Sequence, residues 1–311
     1  MNQITDTILM IRPVNFRMNE QTAVNNYYQK VIDGVTPETL LQNAQQEFDN
    51  FVHKLESVGI NVVVVDDVKE TDTPDAHFPN NWVSFHQSGR VALYPMFAEN
   101  RRTERREDIL DVLESKGFEI TDVIDYSSAE KENLFLEGTG SLLLDRVHRK
   151  AYCALSPRAD EELLIEFCED FEYTPVIFTA NQTVNGERLP IYHTNVMMCL
   201  GEEFSVICLD TIDDKKERKN VIKHLKEDGK EIIEITEEQV VHFAGNMLEL
   251  RGAAETPYLV MSNAAHQSLS KKQIDQIEKH ANILSSSLDI IEACGGGSAR
   301  CMMAEVFLPK K

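Results

Sequence analysis

Along this 311-residue chain an apolar hairpin is followed by a helical stretch and then by a further strand, and the order recurs. The first unit is the hairpin 81–94 with Ser88-Gly89 at its turn, a charged helix near 103–116 and a strand over 118–124. The second is the hairpin 141–154, a helix near 159–170 and strand 175–178; the third is 196–209, a helix near 214–227 and strand 231–235. The fourth pairs 246–250 with 257–262, then has a helix near 270–280 and a strand over 288–291. A fifth begins at 301–308 and breaks off. Its missing parts stand at the other end of the chain, as strand 7–12, a helix near 37–58 and strand 61–65. Hairpins starting at 81, 141, 196, 246 and about 301, with an N-terminal strand completing the last, predict a closed radial array. The expectation is one α/β domain over 1–311, a five-bladed propeller whose last blade is formed by both termini.

Composition narrows what such a fold can serve. Apolar residues are 42% and charged residues 27%, as in ordinary globular proteins, and the formal charge is −21. That balance excludes nucleic acid and anionic membranes as partners and leaves small molecules, with a homo-oligomer open. The start, with Asp6 and a four-residue apolar run over 8–11, is unlike a signal peptide, and no stretch is long enough to span a membrane, so the cytoplasm is expected. Six cysteines (153, 168, 199, 208, 294, 301) show no CxxC spacing and no paired histidines, so neither zinc nor disulfides are signalled. No cofactor is expected.

In a radial array the starts of the inner strands converge on the axis. Those positions read Phe78-Pro79-Asn80-Asn81-Trp82, Leu136-Glu137-Gly138-Thr139-Gly140, His193-Thr194-Asn195 and Gly297-Ser298-Ala299-Arg300-Cys301. A nucleophile, a histidine, a carboxylate and two amides thus stand at equivalent places in different units. Each alone has a plain structural reading. A free cysteine is usually buried and inert, a lone histidine usually a satisfied core group, and asparagine often caps turns. Together they make Cys301 a candidate nucleophile, His193 an acid–base group and Glu137 its carboxylate, with Asn81, Asn195 and Phe78 as substrate contacts. Cys301 is expected at the first position of the final strand, with Arg300 on the opposite face. His77, in Asp75-Ala-His-Phe78, is the reserve histidine.

The glycine-rich run ending Arg300-Cys301-Met302, the segment Leu136-Glu137-Gly138 and the segment His193-Thr194-Asn195 resemble the motifs of the guanidine-modifying superfamily. That superfamily takes in arginine deiminases, dimethylarginine hydrolases and amidinotransferases. Phe-Pro-Asn-Asn-Trp (78–82) and Arg12-Pro-x-x-Phe16-x-x-Asn19 look most like its citrulline-utilisation hydrolases. The resemblance spans nearly the whole chain and implies a five-bladed propeller with a Cys-His-Glu core. It also implies a loop arginine for the substrate carboxylate, for which Arg101 and Arg102 are candidates beside Arg12.

The chain departs from the typical pattern at Asn81 and Asn195, where guanidine-binding relatives carry aspartate. An amide cannot neutralise a guanidinium but can donate and accept, which suits a neutral ureido group. The expectation is therefore hydrolysis of citrulline to ornithine, ammonia and carbon dioxide through an S-linked intermediate. Arginine deimination or dihydrolysis, amidino transfer, and a non-catalytic binding protein are the rivals. The segment 181–192 reads as a loop and a candidate lid.

Overall fold

The computed structural model describes residues 2–311 and is a mixed α/β fold. From the N-terminus, β1 (Thr7–Arg12) leads through a long stretch with one helical turn, Glu20–Ala23, to α1 (Pro37–Ser57) and β2 (Asn61–Asp66). Helix α1 starts where it does because Pro37 fits the first turn and the Thr36 hydroxyl accepts from the Thr39 N–H. Its face Ala44, Phe48, Phe51 and Leu55 is wholly buried, at i, i+4, i+7 and i+11.

Four units of one design follow. The first is β3 (Val83–Phe85), β4 (Arg90–Leu93), α2 (Asp108–Ser115) and β5 (Asp122–Asp125). The second is β6 (Leu142–Asp145), β7 (Lys150–Leu155), α3 (Glu161–Phe171) and β8 (Thr174–Thr179). A short hairpin, β9 (Asn181–Val184) with β10 (Glu187–Pro190), then intervenes. The third unit is β11 (Met198–Leu200), β12 (Phe204–Ile207), α4 (Lys215–Glu227) and β13 (Glu231–Glu234). The fourth is β14 (Leu248–Arg251), β15 (Pro257–Ser262), α5 (Lys271–Ile277) and β16 (Asn282–Ser286). In each the first two strands pair antiparallel across a loop of three to five residues, and the third returns parallel to the second after a helix, as a crossover requires.

The two ends of the chain meet in one sheet. Strand β17 (Ala304–Glu305) pairs antiparallel with β1, Ile8 opposite Glu305, and β1 pairs parallel with β2. Both ends of the sequence therefore build one sheet of the same topology. Among the described residues there are five such three-stranded sheets and one hairpin, and no helix is long and apolar enough to cross a membrane.

Four local expectations are corrected. The strand read over 118–124 forms only at 122–125, because Phe118 instead docks into the core and bridges to Lys310. The strand read over 288–291 lies earlier, as β16, while Leu288 and Ile291 face inward one helical turn apart, with Ile291 opening a π-helical stretch, Ile291–Gly295. A four-residue apolar run cannot by itself separate strand from helix. Segment 181–192 is largely a β-hairpin, turning through Asn185 and Gly186, both at positive φ. Cys301 precedes the final strand, within a 3-10 turn, Ala299–Met302.

Candidate active site

That 3-10 turn has counterparts. Pro79–Asn81 precedes β3, Gly138–Ser141 precedes β6, Thr194–Met197 precedes β11, and Asn246 lies two residues ahead of β14. The turns hold side chains at the mouths of the strands, and they pack without slack. A Cβ on Gly140 would fall 2.5 Å from Asn81 Nδ2 and 2.8 Å from His193 Nδ1, so only glycine lets these turns meet.

His193 and Glu137 form one unit. Both are buried, and His193 Nε2 lies 2.7 Å from Glu137 Oε2, while the other carboxylate oxygen accepts from the Phe97 N–H at 3.0 Å. Burial opposes the charge on Glu137, but the Arg158 guanidinium, His193 and Arg101 outweigh it and hold the carboxyl well below its ordinary range. An ionised carboxylate on Nε2 fixes the proton there and leaves Nδ1 as the free base nitrogen. Nδ1 has no hydrogen-bond partner. Burial brings the His193 pKa down to about 4, against the pull of Glu137, so the ring is neutral at neutral pH.

Cys301 is surrounded by amides. Asn246 Nδ2 donates to Sγ at 3.2 Å and Asn195 Nδ2 at 3.5 Å. Asn246 is also a strut: it donates to the Asn195 carbonyl at 2.9 Å and accepts from the Arg300 N–H at 3.0 Å. Burial raises the thiol above its ordinary range, against the Ser298 backbone and these amide donors, so the resting group is a thiol. Cys301, His193, Asn81 and Phe78 line one cavity.

Two cations share it. Arg101 is buried and bidentate to Glu104, Nε to Oε1 at 3.0 Å and Nη2 to Oε2 at 2.9 Å, and donates through Nη1 to Asn81 Oδ1 at 2.9 Å. Burial pushes the Glu104 pKa up to about 8 in spite of that ion pair. Arg158, which the sequence reading passed over, lies 3.5 Å from Glu137 Oε2 and donates to the Thr22 carbonyl at 3.0 Å. Arg102 is not brought to the site. It faces away, donating to the Met96 carbonyl at 3.1 Å, because adjacent residues of the 3-10 turn Glu99–Glu104 point in different directions. Arg12 pairs with Asp49 at 2.8 Å on the outside. Arg300 turns from the cavity into an ion pair with Glu305 at 2.7 Å.

Asp75 and Asn246 also escaped the sequence reading. Asp75 is buried in the cavity wall, with Oδ2 accepting from Asn19 at 2.7 Å and Oδ1 without a partner. Its motif had pointed to His77, which is buried against Phe78 at 3.9 Å between ring centroids and brought down to about pKa 3 by burial. Asn246 opens the fourth hairpin, so the same equivalence that singled out Asn81 and Asn195 pointed to it.

The cavity is nearly full, with room of about 10 Å³, at the limit for a single water. The stretch between β1 and α1 covers it. Asn26 donates to the Gly296 carbonyl at 3.1 Å, Gln29 to Gly295 at 3.2 Å, and Asn25 accepts from Arg158. The cover is residues 19–30 rather than the hairpin at 181–190.

Comparison with known proteins follows the same lines. The family model for N,N dimethylarginine dimethylhydrolase, eukaryotic, matches residues 12–308. No curated protein matches in sequence. ArgZ, an arginine dihydrolase from the ornithine-ammonia cycle in cyanobacteria, superposes over 98% of this chain with a TM-score of 0.73 at 17% identity. This chain spans only 41% of ArgZ, but matches its N-terminal domain over 99% and 100% of the two chains, with TM-score 0.71 and 17% identity. A dimethylarginine dimethylaminohydrolase variant, as its adduct with S-methyl-L-thiocitrulline, superposes over 97% of this chain and 99% of its own, with TM-score 0.65 and 13% identity.

Proposed function

Since the chain belongs to the eukaryotic N,N dimethylarginine dimethylhydrolase family and is a guanidine-modifying hydrolase acting on C–N bonds, we propose that it hydrolyses a citrulline-like ureido amino acid to ornithine, ammonia and carbon dioxide. One observation carries the choice of substrate. The side chains on the sulfur are amides, Asn195 and Asn246, and the nearby Asn81 is a third. Neutral groups that both donate and accept match a ureido carbonyl and its N–H groups, whereas a buried guanidinium needs charge opposite it.

In this reading Cys301 gives its proton to His193 Nδ1 and attacks the planar ureido carbon. His193 returns the proton to the departing amine, leaving a carbonyl group on sulfur. The same nitrogen then takes a proton from water, whose oxygen attacks the carbonyl and frees the thiol. Glu137 keeps the imidazole in the required tautomer throughout. The carbamic product loses carbon dioxide, so one water and one citrulline give one each of ornithine, ammonia and carbon dioxide. Arg101 or Arg158 would hold the substrate carboxylate, being the cations in the cavity wall. The five sheets would act as blades of one closed propeller forming a single catalytic domain, with the turns ahead of the inner strands at its axis.

A second reading, arginine dihydrolysis, is favoured by Asp75, whose unpartnered buried Oδ1 lies in the same wall and could oppose a guanidinium. Parallel assays on citrulline, arginine and N-methylated arginines, with ornithine and ammonia both measured, separate the two. Citrulline turnover with little arginine turnover is expected. Arginine consumed at a rate far above citrulline would transfer the assignment to the second reading.

A further inference from the structure

The inner strands have another end. Where β3 turns into β4 and β6 into β7, residues 86–90 and 146–149 enclose a cavity of about 120 Å³ walled by His86, Arg90, Arg146, Arg149, Phe171 and Phe307. Two of its three arginines are accounted for by helix α3. Arg90 donates to the Asp170 carbonyl at 2.7 Å, and Arg149 donates to the carbonyls of Phe171 and Glu172, so both cap the helix C-terminus.

Arg146 is different. It is only 3% exposed, yet among the described residues its guanidinium makes no hydrogen bond. Its nearest carboxylate oxygen, Glu305 Oε2, is 3.9 Å away and already accepts from Arg300 at 2.7 Å. Its other contact is the face of Phe307, 3.9 Å from the ring centroid. A guanidinium offers five N–H groups in a planar fork, and leaving it buried without an acceptor is costly. The neighbouring His86 registers the same surplus. Its ring, bonded to the Ser84 hydroxyl at 2.8 Å, is driven well below its ordinary pKa by burial and then by Arg146, Arg149 and Arg90. The acidic group facing in from the α3 side, Glu172, has its side chain 90% exposed.

We propose that this cavity binds a small oxyanion, a carboxylate or a phosphate, through forked N–H···O bonds from Arg146, with Phe307 and Phe171 as its walls. The volume equals about four waters' share of liquid, which admits an anion of a few heavy atoms and excludes a nucleotide. The site lies beyond the far end of the strands from Cys301 and does not depend on the substrate assignment.

The test is calorimetric titration of the full chain with inorganic phosphate and with acetate, each at constant ionic strength set by chloride, while the His86 ring is followed by NMR. One-to-one binding of at least one oxyanion is expected, with the His86 pKa rising and Arg146→Met weakening the affinity at least tenfold. Phosphate alone binding would identify a phosphate-type ligand, and acetate binding a carboxylate. No binding above chloride, or binding that leaves His86 unmoved and so occurs elsewhere, would overturn the proposal. Should Arg146→Met not fold, the His86 shift in the unaltered protein decides.

Discussion

The two ends of the first strands of the sheets treat buried charge in opposite ways. At the cysteine end, Glu137 meets His193 and Arg158, Arg101 meets Glu104, and the sulfur meets two amides. At the hairpin end, Arg146 has a distant carboxylate and an aromatic face. The same topology supplies both sets of loops, so backbone geometry does not explain the contrast. Under the proposed function, the cysteine end is pre-organised by its own side chains, with Nδ1 of His193 left without a partner. The proposed anion site at the hairpin end would leave that compensation to its ligand.

The largest effect is expected at Cys301, the proposed nucleophile. Cys301→Ala should lower turnover by about 10⁴-fold or more while leaving the thermal midpoint and any anion binding at the hairpin end in place. Retained turnover, measured as ammonia release, would remove the cysteine end from catalysis.

Glu137→Gln comes next. Without the carboxylate the imidazole loses its fixed tautomer, and a loss on the order of 10²–10⁴-fold in kcat is expected. The pH profile sharpens this. Because the His193 pKa is brought down to about 4, its base form persists as pH falls, and kcat/KM should hold well below pH 6.5 before an acid limb appears. The carboxylate raises the proton affinity of the ring, so the variant's acid limb should move lower still. A limb that stays fixed while the rate falls would mean that Glu137 acts only structurally.

The smallest of the three is Asn246→Ala. Removing one donor to sulfur, together with the strut to Asn195 and Arg300, should cost about 10²-fold in kcat. Alkylation of Cys301 by iodoacetamide should slow as well, because the thiolate loses a hydrogen bond. Unchanged alkylation with reduced kcat would assign Asn246 to holding the turn rather than tuning the thiol.

The proposed trio of Cys301, His193 and Glu137 is legible because each member stands next to glycines or just ahead of an apolar strand, and the repeat makes those places equivalent. Asn246 is legible by the same equivalence, although its unit lacks the flanking motif. Asp75 and Arg158 were not legible. Asp75 lies in a loop before the first unit and Arg158 just after the second hairpin, so no periodicity ties either to the strand mouths. Arg101 and Arg102 are neighbours in sequence, and only the direction of a 3-10 turn sends the first inward and the second outward.

Spacing along the sequence dictates the order of hairpin, helix and strand and the sharing of one sheet by both termini, and it makes Cys301, His193 and Glu137 the candidates for the site. These follow from spacing and residue chemistry, which are local or strictly periodic. Tertiary packing alone decided which cations are enclosed, which stretch covers the cavity and which arginine is left without an acceptor. Those depend on what lies across the core, and burial acts on a charge only once neighbours far apart in the chain have displaced its water.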